Sequence, residues 1–318
     1  MFAEAVVFGA PKSLTVRKAS LRPPQRDELV VRSYWSGVST GTERLLHDGT
    51  MPAFPGFGYP LVPGYETVGR VEDAGENARH RVGELVYVPG CSAYRELRGL
   101  FGGTASRLVA SSDRVLTLEE EWRRDGVLMA LAATAYHALH AGDERGALMA
   151  HLPELIVGHG VLGRLLARIT IALGGAPVVW EENQARRIGA QGYDCIAPAD
   201  DDRMDYRRII DASGDEAILD TAMTRIGHGG EIVLAGFYGA RMAFPFPLAF
   251  MREARLRVAA EFKPHDMRGV HALVRAGHLS LTGLVTHASP IGDAAGAYRT
   301  AFGDADCLKM ILDWGASE

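Results

Sequence analysis

Apolar residues in the first third of the chain fall into short runs cut by Gly and Pro: Ala5-Val6-Val7-Phe8, Leu29-Val30-Val31-Arg32, Thr67-Val68-Gly69-Arg70-Val71 and Leu85-Val86-Tyr87-Val88. Runs of that length and spacing predict the strands of a β-rich, barrel-like half between Ala3 and Val109. Near residue 124 the texture changes. Gly126 to His140 is rich in Ala and Leu, has no Pro, and predicts a helix, with a linker after it.

From Glu154 the pattern becomes strand, glycine turn, helix: Leu155-Ile156-Val157, then Gly158 to Gly163, then Leu165 to Leu173 with apolar residues at a helical period. Further apolar runs at Val178-Val179-Trp180, Ile209-Ile210, Ile232-Val233-Leu234 and Leu256 to Ala259 interleave with helical stretches such as Glu216 to Arg225. This alternation predicts a doubly wound parallel sheet covered by helices. Between Ile196 and Ile210 a full crossover helix does not fit, since a parallel connection takes a dozen or more residues, so a turn is expected there. A helix over Gly269 to Gly277 and a strand over Cys307 to Trp314 close the chain.

A length of 318 residues exceeds what one core usually organises. Two domains are expected, 1–140 with 268–318 and 141–267. The composition, 47% hydrophobic and 23% charged, is ordinary for a globular protein. A net charge of −5 offers no basic field for nucleic acid or anionic lipid, which leaves a small molecule as the expected partner. Cys91, Cys195 and Cys307 lie far apart, forming neither a disulfide framework nor a cysteine-rich zinc lobe. With no secretory leader and no transmembrane segment in view, the cytoplasm is the expected location.

Gly158-His159-Gly160-Val161-Leu162-Gly163 is a G-x-G-x-x-G between an apolar strand and a helix. The first glycine permits a tight turn, the second admits a pyrophosphate, the third packs helix on strand, and the helix N-terminus faces the phosphates. Glu181, about 20 residues on at the end of the next strand, is placed to accept ribose hydroxyls and to repel a 2′-phosphate, which favours NAD over NADP. Arg186 and Arg187 leave a phosphate pocket open. Ser213, Gly236 and Phe237 follow later strands on the ligand side of such a sheet, although turn chemistry accounts for them equally. His159 reads as a partly exposed turn residue, with a pyrophosphate contact as the rival.

Ser36-Gly-Val-Ser-Thr-Gly-Thr-Glu43, Val62-Pro-Gly-Tyr-Glu66-Thr-Val-Gly69, Thr134-Ala-Tyr-His-Ala138, the glycine turn and Gly229 to Gly236 together resemble the medium-chain dehydrogenase/reductase superfamily over nearly the whole chain. The resemblance implies a GroES-like catalytic domain joined to a Rossmann domain. Within it, Met51 to Glu66, Arg98 to Val109, Phe250 to Phe262 and Cys307 to Trp314 resemble the bacteriochlorophyllide dehydrogenases. That implies an NAD-dependent oxidation of a 3-(1-hydroxyethyl) group to acetyl on a tetrapyrrole, a substrate that composition and periodicity do not reveal.

Zinc members of the superfamily place ligands where this chain has Ser39, Tyr65 with Glu66, and Ala132 or Ala133. Catalytic zinc usually takes three thiolate, imidazole or carboxylate ligands, so a metal-independent enzyme is expected. His47, His137 and Glu43 remain an unorthodox alternative. Without a metal, protein groups must take the hydroxyl proton. Ser39 and Thr42 would relay it, with Tyr65, Glu43, Glu66 or His137 as acceptor; each also has a structural role available, Glu43 as partner of Arg44 or Arg70, Tyr65 and His137 as core residues.

Phe54, Phe57 and Tyr59 in a Gly- and Pro-punctuated loop, with Phe244 and Phe246 after a sheet strand, offer faces for a macrocycle, or simply core and subunit interface. Arg44, Arg98 or Arg252 would suit a substrate propionate. Leu256 to Phe262 reads as an edge strand that a second subunit extends into a homodimer. Two other functions stay open: an NADPH-dependent quinone or enoyl reductase of the same superfamily, and a non-catalytic dinucleotide or pigment carrier.

Overall fold

The computed structural model describes residues 1–53, 55–140, 152–238 and 241–315. Phe54 and the linker expected after His140 lie outside the described residues. Two compact units emerge, the described residues of Met1–Ala130 with Thr282–Glu318, and of Leu131–Leu281.

In the first unit, β1 (Phe2–Ala10) pairs antiparallel with β2 (Ser13–Ser20). There follow β3 (Glu28–Val38), helix α1 (Thr42–Asp48), β4 (Thr67–Ala74), β5 (Leu85–Val88), β6 (Arg107–Ser111) and the two-residue β7 (Leu116–Thr117). Helix α2 (Met129–His140) then leads into the second unit. Its strands are β8 (Leu155–Val157), β9 (Val178–Trp180), β10 (Asp194–Ile196), β11 (Tyr206–Asp211), β12 (Ile226–Leu234) and β13 (Arg255–Val258). Its remaining helices are α3 (Val161–Ala172), α4 (Ile218–Arg225), α5 (Phe246–Arg252) and α6 (Pro264–Arg275). The chain returns to the first unit with β14 (His287–Pro290), α7 (Ala294–Gly303) and β15 (Met310–Asp313).

The long strand β3 organises the first unit because two partners share one of its edges. Strand β6 runs beside Glu28 to Arg32, β15 beside Trp35 to Val38, and β4 pairs along the other edge, all antiparallel. Apolar residues facing inward from these strands, among them Leu29, Val31, Val71, Val86 and Leu108, are removed from water. Each such burial stabilises the fold by about 1.5–3 kcal/mol.

The sheet of the second unit runs in the order β10-β9-β8-β11-β12-β13, every pair parallel. Counted along the chain this is 3-2-1-4-5-6, the dinucleotide-binding order whose reversal point lies between β8 and β11. Neither β9 to β10 nor β10 to β11 is joined by an α-helix. Single turns of 3₁₀-helix at Gln184–Arg187 and Pro198–Asp200 take their place. The units divide at Ala130 and Leu281, where the sequence suggests 140 and 268. Packing of α2 against α6 gives the reason: a Cβ on Gly269 would lie 2.6 Å from the Tyr136 ring, and His137 Nδ1 meets Asp266 Oδ2 at 2.8 Å.

Candidate active site

In the first unit, the end of β3 and the start of β15 set the geometry. Antiparallel pairing puts Met310 opposite Val38, so Lys309 falls where β3 gives way to α1. Its Nζ lies 2.7 Å from Glu66 Oε2 and donates to Val38 O at 3.2 Å. Glu66 reaches across β3 only because position 37 is glycine: a Cβ there would sit 2.1 Å from Glu66 Oε2. Neither member of this ion pair is open to solvent. Burying both charges costs several kcal/mol that their attraction must offset.

Glu43, in the first turn of α1, is also fully buried. Its carboxyl accepts from Ser39 N at 3.2 Å and from the hydroxyl of Tyr298, on α7, at 2.5 Å. Burial pushes its pKa up to about 7 against those two hydrogen bonds, and the Glu66 charge adds to the rise. Tyr65 donates to Ser39 Oγ at 2.8 Å. Burial raises the Tyr65 phenol, and the charge on Glu66 raises it further; hydrogen bonding with Ser39 and Thr42 opposes the shift. Ser39 therefore links the two groups, its hydroxyl accepting from Tyr65 while its N–H donates to Glu43.

Four of the six catalytic candidates, Ser39, Glu43, Tyr65 and Glu66, thus gather with Thr42 at one end of the barrel half. Lys309 and Tyr298 complete the cluster, and sequence reasoning missed both. Glu43 pairs with neither Arg44, which lies 3.7 Å from Asp48, nor Arg70, which holds Glu120. The sixth candidate, His137, belongs to the second unit, where its Nδ1–H donates to the buried Asp266. That contact ties α2 to the start of α6, whose Asp266 also accepts from Lys263 N at 2.7 Å.

Zinc does not fit these residues. Ser39 and Tyr65 offer a hydroxyl and a phenol already bonded to each other, Glu66 is neutralised by Lys309, and Ala132 and Ala133 are fully buried methyls. His47 is held by Asp48 at 3.0 Å, and no group of three metal-ligating side chains forms among the described residues.

The dinucleotide turn lies at the end of β8. Gly158 has a φ of 94°, and a Cβ on it would meet Ser213 N and Cα at 2.9 Å. A Cβ on Gly163 would lie 1.8 Å from Gly158 O, whereas one on Gly160 meets nothing within 4 Å. Two glycines thus close the turn and the middle one keeps it open. Val161 and Leu162 form the first turn of α3, whose N-terminus has no side-chain cap. Its unsatisfied N–H groups suit a pyrophosphate. Glu181 bridges this turn to β9, accepting from His159 N at 3.0 Å and from Asn183 N at 2.9 Å.

His159 is fully buried rather than partly exposed, which corrects the reading from sequence. Nδ1 lies 2.7 Å from Arg186 O and Nε2 2.7 Å from the Tyr193 hydroxyl. A carbonyl accepts only, so Nδ1 carries the hydrogen and Tyr193 donates to Nε2. Burial lowers this histidine to a pKa of about 4, so the ring is neutral. The shortened crossover explains the burial: without a helix after β9, residues 186–193 fold back onto the turn. Buried Arg164 holds them, donating to the carbonyls of His159, Arg186, Ile188 and Gly189. Arg187 is spent likewise on Glu181 O and Glu182 O.

Ser213 is bonded through Oγ to buried Asp211 at 2.7 Å, and Gly236 N donates to the Tyr238 hydroxyl at 3.3 Å; Tyr238 in turn bonds the Asp211 carboxyl. Burial raises the Asp211 pKa. Phe237 is exposed.

Of the aromatic candidates, Phe57 and Tyr59 stand edge to face at 5.5 Å, pack on the cluster of Phe8, Leu46 and Tyr298, and are pinned by the Tyr59 hydroxyl on Leu46 O. Phe244 and Phe246 are exposed on the second unit, lining an apolar depression of about 580 Å³ with Phe250, Met251 and Leu256 beside strand β13.

Comparison with known proteins identifies the family. Residues 25–120 match the family "Alcohol dehydrogenase GroES-like domain". The 2-desacetyl-2-hydroxyethyl bacteriochlorophyllide A dehydrogenase of Rhodobacter capsulatus is 51% identical over 316 residues, covering 99% of each chain. The chain belongs to the bacteriochlorophyllide dehydrogenase family of medium-chain dehydrogenases. The fold of this family member is shared by an Escherichia coli alcohol dehydrogenase solved with NADH (TM-score 0.81, 18% identity, covering 98% of this chain and 99% of that one). A dehydrogenase from Sinorhizobium meliloti solved with NADP gives the same TM-score, identity and coverage. Among the described residues, no helix is long and apolar enough to cross a membrane.

Proposed function

We propose that this chain oxidises the hydroxyethyl substituent of a bacteriochlorophyllide-type macrocycle to an acetyl group, with NAD as oxidant and without zinc. The carbinol carbon loses a hydride, the hydroxyl loses a proton, and a carbonyl forms. Bound nicotinamide supplies the hydride acceptor. Gly158 to Gly163 and the start of α3 would hold its pyrophosphate, and Glu181 its ribose. NAD is favoured over NADP because a carboxylate at Glu181 would accept the ribose hydroxyls and repel a 2′-phosphate, while Arg187 is committed to backbone carbonyls.

The observation that carries the mechanism is the Tyr65–Ser39–Glu43 array. The raised Tyr65 phenol stays protonated near neutrality and spends its one hydrogen on Ser39 Oγ, so it positions that hydroxyl instead of taking the substrate's proton. Ser39 Oγ, with a lone pair left after accepting from Tyr65, receives the substrate hydroxyl. Glu43, with a pKa of about 7, is the group able to change protonation state at working pH; because the Ser39 N–H that meets it cannot relay a proton, the Ser39 hydroxyl must turn its own hydrogen to the Glu43 carboxyl as it takes the substrate's. The Ser39 N–H and the Tyr298 hydroxyl keep that carboxyl in place. The exposed face around β13 takes a second copy of the chain, and the protein works in the cytoplasm.

The test mixes purified protein, NAD and 3-hydroxyethyl bacteriochlorophyllide, following the pigment's long-wavelength band and NADH together. Equal amounts of acetyl pigment and NADH are expected. Pigment binding without turnover, or turnover of an enone with NADPH alone, overturns the proposal. Metal analysis giving about one zinc per chain, needed for turnover, overturns its zinc clause.

A further inference from the structure

The macrocycle invoked above carries, besides its hydroxyethyl group, a free propionate that stays ionised at neutral pH. We infer that Arg98 is the anchor for that carboxylate, an inference resting on the macrocycle reading. Of the three arginines with suitable chemistry, two are already engaged. Arg44 lies beside Asp48, and Arg252 donates to the carbonyls of Met204, Thr224 and Ile226 in the second unit. Arg98 is exposed and has no carboxylate within ion-pair distance among the described residues. Among those residues its guanidinium makes one bond, from Nη1 to Phe57 O at 3.3 Å, leaving most of its five donors for a ligand.

Position argues the same way. Main-chain bonds from Arg98 N to Pro60 O (3.2 Å) and from Val62 N to Arg98 O (2.8 Å) lock this arginine to the segment that runs into Tyr65. Three residues on, the Phe101 ring stands edge-on to Tyr65 at 5.1 Å. The stretch from Arg98 to Phe101 thus spans at most about 10 Å of chain, from the arginine to the ring that stands against Tyr65. On such a macrocycle the ring bearing the hydroxyethyl group and the ring bearing the propionate are neighbours. Phe57 and Tyr59, beside Arg98, supply the aromatic surface between. Gly58 lets the guanidinium lie against the loop, since a Cβ there would come within 2.8 Å of Nη1.

The test compares the free acid of the hydroxyethyl pigment with its propionate methyl ester. In the unsubstituted protein the acid should have a KM about tenfold or more below that of the ester, the scale of a charge-assisted bond. Arg98→Gln should reduce this acid preference to about twofold or less, Arg98→Lys should retain part of it because it keeps charge without the planar fork, and Gly58→Ala should weaken it by displacing the guanidinium. The acid's kcat should change little beside its KM. Equal KM values for acid and ester in the unsubstituted protein, or a preference that survives Arg98→Gln, overturn the assignment. Turnover of neither pigment overturns the macrocycle reading and this one with it, a result distinct from turnover without acid preference.

Discussion

The Lys309 ammonium lies 2.7 Å from Glu66 Oε2, with both groups sealed from water and 243 residues apart in the chain. Removing one partner strands a charge; removing both does not. Lys309→Met should therefore cost about 3–5 kcal/mol, and the double variant Lys309→Met, Glu66→Gln should recover most of it. Urea denaturation of the single and double variants measures this directly; equal destabilisation in both would refute a paired-charge role.

Glu43 should link activity and stability with opposite signs. Its folded pKa, about 7, lies above the ordinary carboxylate value of 4.5. The stability it contributes is complete below pH 4.5 and is lost as pH rises toward 7. Oxidation, which needs the ionised form, should rise through the same upper limit. Glu43→Gln should lower kcat by about 10²–10⁴-fold and, above pH 7, raise the melting temperature. A variant that is slow but no more stable at pH 8 would separate the two effects.

His159 works in the other direction. Neutral in the fold with a pKa of about 4 against an ordinary 6.5, it contributes stability above pH 6.5 that is lost as pH falls toward 4. The loss approaches about 3 kcal/mol. Unfolding free energies at pH 7, 5.5 and 4.5 should fall steadily in the natural protein and less steeply in His159→Gln.

Glu181 should decide the choice of dinucleotide. Replacing it with alanine removes the carboxylate expected to bind the ribose hydroxyls, and the ratio of kcat/KM for NAD over NADP should drop about tenfold or more. An unchanged ratio would place cofactor selection elsewhere.

Strand β13 is an edge, and its Val258 and Leu256 are exposed beside Phe246, Phe250 and Met251. Light scattering should give twice the 34.3 kDa chain mass. Val258→Lys, a charge on the free edge, should shift that toward the single chain.

Much of the fold was legible because its signals are local. The apolar runs at residues 5–8, 29–32 and 85–88 all lie in strands, Leu155-Ile156-Val157 became β8, and the shortage of chain between Ile196 and Ile210 was met by a 3₁₀ turn. Strand β13 stops at Val258 and not at Phe262, with Glu261 at a φ of 55°. The site was legible only where its residues lie close in sequence, as Ser39 and Glu43 do. Lys309 carried a signal, a lone cation inside Cys307 to Leu312, since a charge among buried neighbours needs a partner. Which partner it takes depends on β15 pairing with β3, a long-range register that no local pattern encodes. Tyr298, on an Ala-rich helix, gave no sign of its hydrogen bond to Glu43. The burial of His159 was hidden because it depends on a loop standing where a crossover helix is customary.

Glu43, Glu66 and Lys309 together carry one net negative charge when Glu43 is ionised and none when it is protonated. Above pH 7 the folded enzyme therefore resembles a charged capacitor, its excess charge held in a poorly screened interior. Accepting the substrate's proton discharges it, so the relaxation of the protein's own field pulls the alcohol toward the ketone. Resetting means returning that proton to solvent, and a rate that depends on buffer concentration would mark this recharging as the slow part of the cycle.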